Sequence, residues 1–153
     1  MPLVLAAALA LSLSTPPAAP AAVAFDHLFV TGPSGARVAP EVEALAGRQV
    51  RLVGFAVRME EPSLGAFYLA ARPAEADESG GGTGDVPPRA VRVVVPGLEG
   101  GLPEVAGPIE VVGRLEVGRV EEADGRVSFL RVVVDRPLTA SAEAPPAPAG
   151  GTP

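Results

Sequence analysis

An all-β domain is predicted from three observations. Five segments rich in valine and leucine follow one another between turn-forming residues over 49–135. The first carries Gly54 in its middle, and a glycine inside a strand marks a bulge or a sharp bend. A larger connection, 97–108, separates the third segment from the fourth. Together these predict a small five-stranded OB-like antiparallel barrel with at most one short helical turn. Closing the sheet also removes the edges that a valine-rich sheet would otherwise expose. An open β-sandwich fragment is the rival architecture.

The chain opens on a leader. Residues 3–13 read LVLAAALALSL, an apolar run of signal-peptide length, too short for the ~20 residues a spanning helix needs. A Pro cluster follows, then Ala22, Val23 and Ala24, which predict cleavage after Ala24 and a signal peptide over 1–24. The leader has no Lys or Arg before its apolar run, so either the natural start lies upstream or the signal is weak. With no Cys for lipid attachment, no membrane anchor is expected after cleavage.

The domain is assigned to 25–136. Residues 25–30 (FDHLFV) can pack as an apolar arm or first turn, 31–40 (TGPSGARVAP) is turn-rich, and 41–46 can make one or two helical turns ended by Gly47. The strands are 49–59 (QVRLVGFAVRM), 66–72 (AFYLAAR), 90–95 (AVRVVV), 109–117 (IEVVGRLEV) and 127–135 (VSFLRVVVD). In the fourth, Ile109, Val111, Gly113, Leu115 and Val117 alternate with Glu110, Val112, Arg114 and Glu116, giving one core face and one mostly wet face. Asp124 and Gly125 signal the hairpin to the fifth. Two insertions, 73–88 with its ESGGGTGDVPP stretch and 97–108 with room for one turn at Glu104, are surface connections. From 137 to 153 a Pro/Ala-rich tail cannot bury enough surface to order itself.

Composition narrows the function. All 18 acidic and 12 basic residues lie beyond residue 24, so the net charge of −6 belongs to the domain and tail and opposes phosphate backbones and anionic lipids. Nucleic acid is therefore not the expected partner. Every basic residue is Arg, Asn is absent, and Ile109 and Gln49 are single of their kinds, a codon signature of a GC-rich bacterial genome. Zero Cys removes disulfides and thiolate metal sites.

No constellation supports catalysis, and no cofactor is expected. His27, the single histidine, has only Asp26 beside it, which is no metal site. The acids Glu75, Asp77, Glu78 and Asp85 lack calcium-loop spacing, and Glu121, Glu122 and Asp124 read as a second solvated cluster. Gly80 to Gly84 lacks the lysine and helix of a phosphate loop. Arg51, Arg58, Arg92, Arg114 and Arg131 read as solvated strand arginines. OB surfaces bind through strands two and three, where Phe67 and Tyr68 form the one adjacent aromatic pair. Phe67, Tyr68 and Arg92 are therefore the expected binding residues.

Residues 45–55 (LAGRQVRLVGF) resemble the "L-x-G-K-x-V-x-I-x-G-F" opening of a secreted bacterial OB-like family of unknown function, domain of unknown function number 3299. Residues 66–70 are similar to its second strand, 86–93 to its Pro-rich approach to the third, and 109–115 to its "V-x-V-x-G-x-L" strand. The resemblance spans 25–135 and implies the fold and an exported location. This chain departs from it as a divergent member: the Cys and His that the family carries before the Pro-rich stretch are replaced by ADESGGGTGDVPP. No site residue is carried over. The expected function is an exported, non-catalytic binding or adaptor module of the cell envelope, periplasmic or secreted, with an envelope protein as partner. The alternative is a periplasmic small-molecule or metal carrier.

Overall fold

Residues 18–59, 63–76, 86–87, 89–122 and 125–141 are described by a computed structural model. Most of the expected leader (1–17), the glycine-rich part of the 73–88 insertion (77–85 and 88), Asp124 and tail residues 142–153 lie outside them.

The described residues form eleven strands and two single helical turns. In order they are β1 (Ala21–Ala22), a 3-10 turn (Phe25–His27), β2 (Phe29–Gly32), β3 (Gly35–Val38), α1 (Pro40–Glu43), β4 (Gln49–Ala56) and β5 (Arg58–Met59). Then come β6 (Ala66–Ala70), β7 (Glu75–Ala76), β8 (Val91–Val94), β9 (Ile109–Glu121), β10 (Val127–Val134) and β11 (Thr139–Ala140). The chain is all-β, and the five expected strands are β4, β6, β8, β9 and β10. Two helical turns stand where at most one was expected, because the apolar arm closes a 3-10 turn that buries Phe25. Glu104, expected in a possible turn, lies in irregular chain rich in Gly and Pro.

One sheet runs β1-β4-β6-β8-β10-β9-β11, and β4 also pairs with β9. The ladder therefore leaves β4 through β6, β8, β10 and β9 and returns to β4. The expected antiparallel sheet is in fact mixed: β8 and β10 run parallel, as do β1 and β4. The reason is the length of β9. Its first half pairs with β4, from Ile109 opposite Gly54 to Arg114 opposite Gln49. Its second half pairs with β10, and that hairpin sets β10 beside β8 in the same direction.

Gly54 lies where β4 changes partner. Residues 49–54 pair with β9, while Phe55 and Ala56 pair with β6. A Cβ on Gly54 would lie 2.7 Å from both the Ala70 carbonyl oxygen and the Phe25 ring, so the bend is packed too tightly for a side chain.

Alternation supplies the core. Val50, Leu52, Phe67, Leu69, Val91, Val93, Ile109, Val111, Leu115, Leu130 and Val132 are buried together with Leu28, Ala39 and Val42 from the N-terminal elements. Each such aliphatic side chain contributes about 1.5–3 kcal/mol by burial. Leu69→Ala would cost about 2–5 kcal/mol, cavity included.

Three segments depart from the expected reading. The turn-rich stretch forms a hairpin, with Phe29 opposite Val38 and Thr31 opposite Ala36. Both its strands are short, β2 mostly half-buried and β3 exposed except at Val38, so burial imposed little alternation on them. Ala21 and Ala22, ahead of the expected cleavage point, pair with Val50 and Arg51, and the Val23 N–H donates to the Arg51 carbonyl at 3.0 Å. Thr139 and Ala140, inside the expected tail, pair with Glu110 and Ile109.

Candidate functional site

Two neighbouring surfaces stand out, the outer face of β6, β8 and β10 and the groove beside it. On β6, Phe67 and Leu69 join the core while Tyr68 belongs to a separate outer cluster with Val57 and Ala70. On β8, Val91 and Val93 join the core and Arg92 takes the alternate position. Register then sets Tyr68 opposite Arg92, Arg92 beside Arg131, and Arg131 opposite Glu116, a single row across four strands.

Glu122 completes this row. Between Val117 and Val120 the strand β9 carries one residue more than β10 opposes, at Gly118 with φ of +134°. A bulge of this kind re-aims the strand end beyond it. There Oε1 of Glu122 lies 3.4 Å from Arg92 Nε and 3.2 Å from Arg131 Nη1, and accepts a hydrogen bond from Ser128 Oγ at 3.2 Å. Arg131 Nη2 also pairs with Glu116. Arg92 Nη1 donates to the Tyr68 hydroxyl at 3.2 Å, and its guanidinium carbon lies 5.3 Å from that ring's centroid. Two guanidiniums thus face two carboxylates, with Arg92 only 4% exposed. Charges this buried are tolerated only when paired, and removing one partner typically costs about 3–5 kcal/mol.

Of the expected binding residues, the fold brings Tyr68 and Arg92 together but turns Phe67 to the opposite face, where it is buried in the core. Arg92 and Arg131 are not solvated strand arginines, and Glu122 is not part of a solvated acidic cluster. Their burial is the correction. The signal was present in the strand texture: Arg92 and Arg131 each stand in a run of valines on both faces, which indicates a strand covered on both sides. Ser63 accepts a 2.9 Å hydrogen bond from Arg126 Nη1, tying the connection after β5 to the β9–β10 connection over this region.

The groove is different. One part, about 370 Å³, is lined by Met59, Ala66, Phe67, Leu102 and Pro103, among others. The other, about 480 Å³, is lined by Phe55, Pro73, Ala74, Ala106 and Gly107 among others. Ala56, Arg58 and Val105 line both parts, so they are two halves of one depression. The Arg58–Glu104 ion pair marks the division, with both side chains largely exposed. Val105 stands 39% exposed on its wall. The first part is open and mainly apolar and suits an extended apolar segment, whereas the second is about equally polar and apolar.

Among the described residues no three of His, Cys, Asp or Glu stand together as metal ligands. His27 is exposed, 3.8 Å from Asp26.

No protein-family model and no curated protein matches the sequence. The fold is shared with the crystal structure of a DUF3299 family protein from Pseudomonas aeruginosa PAO1, at a TM-score of 0.54 and 19% identity. The match covers 82% of this chain and 99% of that one. A fold shared with a member of that family agrees with the resemblance read from the sequence.

Proposed function

We propose that this chain is a divergent member of the DUF3299 family, built on an OB-type barrel, that acts as an exported, non-catalytic binding module of the bacterial cell envelope. The returning ladder of β4, β6, β8, β10 and β9, with its bend at Gly54 and bulge at Gly118, supports the barrel. The observation that carries the binding role is the contrast between surfaces. The face that OB barrels commonly use is filled by the chain's own Glu122, whereas the groove beside it keeps apolar walls open. The ligand is an extended apolar segment of an envelope protein, seated against Met59, Leu102 and Val105. The leader over 1–24 supports export.

The test is site-specific photocrosslinking in native cells, with the reactive side chain at Met59 and, as control, at the exposed Phe129 on β10. An adduct of defined mass formed from Met59 alone, in the envelope fraction, is the expected result. Identical patterns from both positions would overturn the binding role. A cytoplasmic, unprocessed chain would overturn export. A melting temperature that rises in a saturable way with a divalent cation or small anion would instead favour a carrier.

A further inference from the structure

Cleavage after Ala24, the bond that the Ala22-Val23-Ala24 motif selects, would remove a piece of the folded domain. Ala21 and Ala22 form β1, parallel to Val50 and Arg51 of β4, and the Val23 N–H extends that pairing to the Arg51 carbonyl at 3.0 Å. The side chains of Ala21 and Val23 pack against the core that holds Val50 and Leu52. The Ala24 carbonyl accepts the His27 N–H at 3.1 Å and so closes the 3-10 turn that buries Phe25.

No other strand among the described residues can stand in for β1. On β4, β9 takes one edge of residues 49–54, and β6 pairs only with Phe55 and Ala56. A chain cut after Ala24 would carry its charged amino terminus on Phe25, which is 6% exposed and packed against the Gly54 bend. It would also leave backbone groups of Val50 and Arg51 unpaired beside the core. A segment discarded before folding is under no pressure to match the domain that follows it. Agreement in strand pairing, core contacts and turn closure marks Ala21 to Ala24 as part of the mature fold.

The sequence offers a second bond. Export signals place small residues at the first and third positions before the cut, after an apolar run. Ser12 and Ser14 have that spacing at the end of the run over 3–13 and select the bond between Ser14 and Thr15. Ala19 and Ala21 have it too, but a cut there would split β1. Resting on the export proposed above, we infer that β1 belongs to the mature protein and that the leader is removed at the Ser14–Thr15 bond. The step is hydrolysis by a membrane signal peptidase. Water adds across the bond, leaving a carboxylate on Ser14 and an ammonium on Thr15.

The test is the intact mass of the full chain expressed in an exporting bacterium and recovered from the envelope fraction. A chain beginning at Thr15 is expected. Ala22→Asp, which spoils the downstream motif at an exposed position of β1, should leave that terminus unchanged, whereas Ser14→Asp should abolish it. In the recovered protein the Val23 amide should exchange with solvent at least about tenfold more slowly than an unprotected amide. An envelope chain with any other terminus, Phe25 above all, overturns the inference and leaves export standing. So does a Val23 amide that exchanges at the unprotected rate. An unprocessed chain confined to the cytoplasm overturns export, and the inference with it.

Discussion

The two surfaces of this molecule bury opposite things. On the outer face of β6, β8 and β10, charge is taken out of water and neutralised within the chain, with Glu122 closing over Arg92 and Arg131. In the groove beside it, apolar side chains are left in water, and the ion pair of Arg58 with Glu104 stands exposed. A buried charge row rigidifies and is costly to disturb, whereas an open apolar wall contributes little to stability and is available to another segment. The surface best furnished with polar groups is thus the structural one, and the plainer surface is the candidate for recognition.

The sharpest way to break this contrast is Glu122→Ala. It should destabilise the fold by about 3–5 kcal/mol in urea unfolding, since two neighbouring guanidiniums lose a shared partner. A loss under about 1 kcal/mol would show that water already reaches the row. The next effect concerns β1. A chain beginning at Phe25 should be less stable than one beginning at Ala18 by about 1–3 kcal/mol, the backbone pairing and the contacts of Ala21 and Val23 being lost. Equal melting temperatures would show that β1 is dispensable and that cleavage after Ala24 leaves the domain intact. Arg58→Ala should cost no more than about 1 kcal/mol, and the cost should vanish at high salt, because both partners are exposed. Smallest of all, Val105→Ser should change stability by less than about 0.5 kcal/mol. A larger loss from it would mean that the groove wall is core.

Much of the fold was legible. The strands β9 and β10 were readable because burial on one face imposes alternation, as Ile109, Val111 and Leu115 show. Gly54 announced the bend in β4 because no side chain fits there. What was not legible had no such pressure on it. Strands of two residues, β1 and β11, are decided by which edges of β4 and β9 stand open nearby, and two residues carry no period. The candidate site was half visible: of Phe67, Tyr68 and Arg92, which were singled out, the register joins Tyr68 to Arg92, but Glu122 reaches them only through the bulge at Gly118, which shifts the strand's phase without altering its composition. The groove left little trace, since its walls come from segments far apart in sequence, around Arg58, Phe67, Pro73 and Leu102.

The returning ladder also has a consequence for timing. Gly54 waits for Ile109 on β9, and Val93 waits for Val132 on β10, so the ladder cannot close until the last two long strands have been made. Loops this long close slowly, and sheets dominated by distant pairings are slow to fold. A nascent chain of this design stays threadable until nearly all of it has emerged. For a protein proposed to cross a membrane before it folds, that delay is written into the order of its strands.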